Sequence, residues 1–197
     1  MRFAALLLIV TACGRVPESA AERYARWLAA GHREQVLAYE SHLRSQGVDG
    51  IVAIPQLLRS GRRWQRCHVE EFAVPPRRNW AAITATLALI RDLKDTGILM
   101  RPQVTSAWRS ETFNRCEGGS SNSRHLLNNA LDLDIHVDGG NVARLCDYWH
   151  RHGRNRHFGL GFYSVTKIHV DTSGFRTWGY DYSRRSSLCT KAEFAAQ

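Results

Sequence analysis

The chain has 197 residues, enough for one ordinary domain with a hydrophobic core and a short additional segment. Hydrophobic residues make up 44% of the chain and six residues are Trp, a composition that excludes an intrinsically disordered protein. The formal net charge of +9 indicates an anionic partner or surface, such as nucleic acid, anionic lipid or an acidic polymer of a cell envelope.

The N-terminal stretch MRFAALLLIVTAC resembles a bacterial lipoprotein signal. Arg2 precedes an apolar run from Phe3 to Val10 that is too short to span a bilayer, and small residues lead to Cys13. We expect residues 1–12 to be a signal peptide and Cys13 to be the lipidated first residue of the mature chain. This predicts a periplasmic lipoprotein of the bacterial cell envelope, anchored to the membrane by its lipid. The alternative is an ordinary hydrophobic first helix.

Four further cysteines form an even set, as two disulfides in an oxidising compartment require. Their wide spacing contains no Cys-x-x-Cys pair, which disfavours a zinc–cysteine site. Three pairings are open to them. The four are Cys67, Cys116, Cys146 and Cys189.

The first half of the chain is predicted to contain two helical regions. Residues 13–61 read as a tether followed by a helical region, in which apolar residues recur at helical spacing from 20 to 46 and Gly31 interrupts the pattern. A second helix is predicted from Asn79 to Lys94. Its apolar face comprises Trp80, Ile83, Leu87, Ile90 and Leu93. We place the main domain at residues 62–197.

The second half contains short alternating segments joined by turn signals. QVTSAWRS, ALDLDIHVD, RHFGLGFYS and KIHVD are predicted to contain strands, and VARLCDYWHRH is predicted to be a helix. Helices beside short strands with hairpin-type connections predict an α+β fold, with a small, mainly antiparallel sheet flanked by helices.

One acidic stretch, SRHLLNNALDLDIHVDGG, is a candidate metal site. From Leu131 to Asp138 apolar and polar residues alternate, so a strand would place Asp132, Asp134, His136 and Asp138 on one face. The turn-rich start of the stretch can bring His125 towards that face.

The stretch TKIHVD repeats this alternation and adds His169. If the two strands are neighbours, His125, Asp132 and His169 form a nitrogen–oxygen–nitrogen donor set with an open fourth position, as in catalytic zinc sites. A solvated polar strand face is the alternative. A calcium loop fits poorly, because His136 stands where an oxygen ligand is needed.

The same residues carry a family resemblance. SRHLLNNALD resembles the S-x-H-x-x-G-x-A-x-D signature of the zinc D-alanyl-D-alanine peptidases, with Asn128 where Gly is usual. This group includes D,D-carboxypeptidases, murein endopeptidases and the zinc fold of the hedgehog signalling domain. SAWRS resembles the strand that supplies an active-site Arg, here Arg109. GLGFYSVTKIHVDTSGFRTWG resembles the closing segment of the murein endopeptidases, which supplies the third zinc ligand, here His169.

The resemblance implies a hedgehog-like zinc fold and a zinc peptidase that cleaves D-amino-acid-containing bonds of peptidoglycan. It implies His125, Asp132 and His169 as metal ligands and Ser123 as a substrate-binding residue. Arg109 would stabilise the oxyanion or hold a substrate carboxylate. Trimming of a terminal D-Ala and cleavage of a cross-link both fit, and the closing segment favours the second.

The chain departs from the family pattern at the general base. Many relatives carry Glu or Asp three positions before the last His ligand, where this chain has Thr166, and others carry His two positions before it, where this chain has Lys167. The nearest carboxylate is Asp171, predicted to be the base or a hydrogen-bonding partner of His169. An ion pair of Asp171 with Arg176 or Lys167 is the alternative.

The missing base leaves a second hypothesis open, a non-catalytic zinc module that binds cell wall or protein. We expect a monomer whose partners are a peptidoglycan peptide and, through the lipid anchor, the membrane. Nucleic-acid binding is disfavoured, because the chain carries an export signal and no nucleic-acid-binding motif.

Overall fold

The computed structural model of the protein describes residues 17–138, 140–191 and 194. The predicted signal peptide and lipidation site, Cys13, lie outside the described residues. Within these residues, no helix combines the length and the apolar character needed to cross a membrane.

Two helices open the described chain, as the sequence predicts. Helix α1 (Ala20–Trp27) begins at a capping box in which Ser19 and Glu22 each bond the other's backbone N–H. Helix α2 (Arg33–Ser45) follows after the π-helical turn Leu28–His32, where Gly31 takes a φ of 110°. That backbone conformation suits Gly, and it marks the predicted interruption.

The predicted central helix is present with a different start. After the short α3 (Ile54–Leu57), a 3-10 turn covers Arg77–Ala82 and leads directly into α4 (Ile83–Asp95). All five residues of its predicted apolar face are buried in the core. Helix α5 (Glu111–Cys116) and helix α6 (Asn141–His152) complete the α-helices of the described residues.

A five-stranded sheet forms the centre of the fold, in the order β1-β2-β4-β3-β5. The strands are β1 (Gln103–Ser106), β2 (Ala130–Asp134), β3 (Gly159–Phe162), β4 (Lys167–Asp171) and β5 (Arg176–Trp178). Only the β3–β5 pair is parallel. The predicted α+β fold with a mainly antiparallel sheet is confirmed.

The strand predicted to continue to Asp138 is too long. Strand β2 ends at Asp134, because the chain beyond it turns into α6. Asp138 and Asn141 exchange hydrogen bonds across this turn, each accepting at its side-chain oxygen from the other's backbone N–H. Local side-chain bonding of this kind competes with the strand ladder.

The sheet has one apolar and one polar face. Leu131, Leu133, Ile168 and Val170 are buried on the core side, while Asp132 and His169 point to the opposite side. The buried side chains of α1 and α2 belong to the same core cluster as those of the sheet. The domain boundary placed at residue 62 stays a prediction.

Two disulfides select one of the three open pairings. Cys67 is bonded to Cys116, and Cys146 is bonded to Cys189. The second bond is buried between α6 and the C-terminal segment. The first bond joins the loop after Gly61 to Cys116 at the end of α5.

Candidate metal centre

The first candidate ligand, His125, is held by a short turn. Ser123 precedes a 3-10 turn, Arg124–Leu127, that buries the His125 ring. The ring Nδ1–H donates to the Ala107 carbonyl at 2.6 Å, which leaves Nε2 as the nitrogen facing the site. A backbone partner on one ring nitrogen fixes the tautomer, as metal-bound histidines require.

The other two candidate ligands lie on neighbouring strands. Asp132 on β2 is paired in register with His169 on β4, so the prediction that the two strands are neighbours is confirmed. His169 Nδ1 lies 2.9 Å from Asp132 Oδ1, and His125 Nε2 lies 3.2 Å from both of these atoms.

These distances fit a metal ion. Ligand atoms of a tetrahedral zinc lie about 2 Å from the ion and therefore about 3.3 Å from one another. The three donor atoms lie within 4.8 Å of one another, and all three residues are buried. The structure thus brings His125, Asp132 and His169 together as one donor set.

The charges of His125 and Asp132 also suit a cation. Burial lowers the pKa of His125, which favours the neutral imidazole. Burial alone would raise the pKa of Asp132, but His125, His169 and Arg109 hold it well below its usual range. A neutral imidazole and an ionised carboxylate are the forms that bind a metal.

Asp171 lies behind His169 rather than in front of it. It is fully buried, and its Oδ2 accepts from His169 Nε2 at 3.1 Å and from Arg176 Nη2 at 2.6 Å. Arg176 Nη1 and the Ser173 backbone N–H donate to Oδ1. Of the predicted roles, this geometry favours the partner that orients His169, and the ion pair with Arg176 is present as well.

Replacing Asp171 by Asn should weaken zinc binding about 10- to 100-fold, because the His169 ring loses the charged acceptor that orients it and raises its basicity. The measurement is competition with a chromophoric chelator. Asp147, whose ion pair with Arg151 lies outside the cavity, supplies the control Asp147→Asn. An unchanged affinity in a folded Asp171→Asn protein would contradict the assignment.

Arg109 touches a candidate ligand directly. It forms an ion pair with Asp132, its Nε donates to Ser106 Oγ at 2.8 Å, and the residue is 9% exposed. Its Nη1 has no hydrogen bond among the described residues, so this nitrogen is free to donate into the cavity. The predicted oxyanion or carboxylate role of Arg109 stays a prediction.

The donor set lies at the floor of an open cavity of about 730 Å³. Arg62 and Arg63 form one wall, and the loop around residues 117–124, which includes Ser123, forms another. The Cys67–Cys116 disulfide links the two chain segments that form these walls. Ser123 therefore lies where a substrate can reach it, as its predicted role requires. His136 and Asp138 are exposed and do not line the cavity.

Several cavity residues had not been singled out from the sequence. Tyr163 donates its hydroxyl to Asp132 Oδ1 at 3.2 Å, and Trp178 packs against the His169 ring with centroids 5.1 Å apart. Both lie in the closing segment quoted above, but spacing alone gives them no role. Arg62 and Arg63 reach the cavity only through tertiary packing, for which the sequence carries no signal.

The Gly-x-Gly of β3 has a packing explanation. A Cβ on Gly161 would come within 2.6 Å of Trp178 Nε1, and a Cβ on Gly159 would come within 2.7 Å of Arg176 Nη1. Neither residue leaves room for a side chain. The two glycines therefore let Trp178 and the Arg176–Asp171 pair pack closely over β3.

Asn128 stands where the family signature has Gly. The backbone at this position is left-handed, with a φ of 56°. Asn tolerates this conformation better than most residues. Its side-chain Nδ2 donates to the Tyr39 hydroxyl at 3.2 Å and to the Asn79 carbonyl at 3.1 Å. The substitution thus keeps the turn and adds a bond to α2.

A buried His–Asp–His set that opens onto a cavity defines a candidate mononuclear metal site of the hydrolase type. The family model described as Peptidase M15 matches residues 57–171, more than half of the chain, and the chain belongs to this family of zinc-dependent peptidases. The resemblance read from the sequence is confirmed. Comparisons with curated proteins and with solved structures gave no match.

Proposed function

We propose that the protein is a zinc peptidase that hydrolyses D-amino-acid-containing peptide bonds of peptidoglycan. The observation that carries the proposal is the buried set of His125, Asp132 and His169, which lies at the floor of a cavity large enough for a peptide. Family membership supports the peptidase activity. The choice of bond, a terminal D-Ala or a D,D or L,D cross-link, rests on the closing motif.

Zinc held by His125, Asp132 and His169 would supply a Lewis acid for the scissile carbonyl and would lower the pKa of a water towards 7. Arg109 Nη1 is the donor next to Asp132 that can stabilise the carbonyl oxygen as it becomes negative. Burial, together with the charge of Asp132, raises the pKa of Tyr163 well above its usual range, so the phenol keeps its proton and remains the donor to Asp132 Oδ1.

A carboxylate must accept the proton of the attacking water and pass it to the leaving amine. Apart from Asp132, the cavity is lined by the carboxylates of Asp134 and Glu117, each paired with an Arg. We assign the transfer to Asp134, because it is on the same strand face as Asp132, two residues further along β2. This assignment replaces Asp171, which does not line the cavity.

We propose the cellular setting on the basis of the sequence. A lipid anchor at Cys13 would hold the enzyme at a membrane of the bacterial envelope, facing the periplasm. Two disulfides suit an oxidising compartment, and a net charge of +9 suits anionic wall polymers. We propose that the protein works there as a monomer.

The second candidate function is a zinc module without catalysis. It is favoured by Thr166 and Lys167, which stand where relatives carry the base; Thr166 is exposed in the turn before β4. Such a protein would bind wall peptides through the same cavity and would leave them intact.

Purified protein incubated with peptidoglycan peptides, with and without a zinc chelator, separates the two functions. We expect new peptide ends to accumulate, the chelator to stop their formation, and added zinc to restore it. Mass spectrometry of the products identifies the bond cleaved. Intact peptides in the presence of a fully zinc-loaded protein would sink the peptidase proposal and leave the binding module.

A further inference from the structure

The cavity has more cationic groups than carboxylates to pair them. Six cationic residues line it, and four of them have a carboxylate partner. The pairs are Arg62–Asp134, Arg63–Glu117, Arg109–Asp132 and Arg176–Asp171. The two others, Arg124 and Lys167, form no ion pair within the part of the chain that the structure describes.

Lys167 is placed to act near the reacting bond. It is the first residue of β4 and shares a strand face with His169, two residues further on, so their Cα atoms lie about 7 Å apart. Asp134 is its partner in register on β2, but the Asp134 carboxylate is bonded to Arg62 instead. The exposed Lys167 ammonium is therefore available to an anionic group in the cavity.

Arg109 is less available for the same task. Its Nε and Nη2 are committed to Ser106 and Asp132, and only Nη1 is free among the described contacts. The edge of the guanidinium that carries Nε and Nη2 is therefore occupied by protein groups and cannot give a substrate carboxylate a two-pronged grip. A substrate carboxylate is thus better served by Lys167 and Arg124 at the cavity wall.

We propose that Lys167, assisted by Arg124, forms a subsite for a substrate carboxylate one or two residues from the scissile bond. The inference rests on the proposed function, because it places this carboxylate relative to the donor set of that site. A bound peptide in extended form advances about 3.5 Å per residue. One or two of its residues therefore cover the distance from the donor set to the end of the Lys167 side chain. The carboxylate is either the C-terminus of the substrate or an acidic side chain.

The test is binding of three acetylated peptides to the zinc-loaded protein. One is L-Lys-D-Ala-D-Ala with a free C-terminus, the second is its C-terminal amide, and the third is an amide that carries a D-Glu side chain. We expect a carboxylate-bearing peptide to bind about tenfold more tightly than the neutral amide. Preference for the first peptide identifies a C-terminal carboxylate, and preference for the third identifies a side chain.

Lys167→Gln should reduce this preference to less than about threefold, and Lys167→Arg should retain most of it. Lys191→Gln removes an exposed Lys outside the cavity and serves as the control, with no expected change. Equal binding of all three peptides, or a preference that survives Lys167→Gln, overturns the subsite.

Hydrolysis followed in the same samples keeps the two proposals apart. A lysine-dependent preference without cleavage would defeat the peptidase activity and leave the subsite standing. Cleavage without any preference would defeat the subsite and leave the activity.

Discussion

Replacing His125 by Ala should abolish stoichiometric zinc binding and lower peptide hydrolysis by about three orders of magnitude. The reason is that two protein ligands, Asp132 and His169, cannot hold a catalytic zinc that needs three. Metal content by mass spectrometry and initial rates on the same preparation measure the two effects together.

The matched control for this substitution is His136→Ala, which removes a histidine of the same acidic stretch. His136 is exposed and does not line the cavity, so both zinc content and rate should stay at the level of the unmodified protein. Full zinc content in the His125→Ala protein would show that the metal is bound elsewhere.

Asp134→Asn should lower kcat by about two orders of magnitude or more while zinc content stays unchanged. The amide keeps the shape of the carboxylate but cannot accept the proton of the water, and Asp134 is not one of the three donors. Rates at saturating peptide, with metal analysis of the same sample, give the answer.

Glu117→Gln is the comparison for Asp134, since both carboxylates line the cavity and both are paired with an Arg. Glu117 follows α5 and lies off the strand face that carries the donor set, so its substitution should leave kcat within about threefold. If Glu117→Gln gives the larger loss, the proton transfer belongs to that residue.

Two of the three donors, Asp132 and His169, could be predicted from the sequence because strand periodicity places them. The alternation in ALDLD and KIHVD fixes which side chains share a face, and neighbouring strands then bring Asp132 and His169 together. The same periodicity places Asp171 on that face, but it does not predict whether the side chain faces the cavity or lies buried behind the His169 ring. Only the packing of Arg176 reveals that Asp171 lies behind the ring.

Other parts of the site depend on contacts between distant segments. Arg62 and Arg63 belong to a loop that no periodic pattern describes, and the Cys67–Cys116 bond that holds it was one of three open pairings. The end of β2 was misplaced by the sequence, because alternation continues to Asp138 while local bonds with Asn141 turn the chain away.

The bond from Asn128 to Tyr39 links the metal site to a part of the chain outside the matched family region. Tyr39 is fully buried in α2, and Asn128 ends the turn that carries His125. We therefore expect the docking of the first two helices to be thermodynamically coupled to the order of the turn that carries His125. Because such coupling is reciprocal, we expect a cation bound by His125 to strengthen the attachment of α2 as well. We therefore expect the N-terminal helices to stabilise the turn Arg124–Leu127, which carries His125.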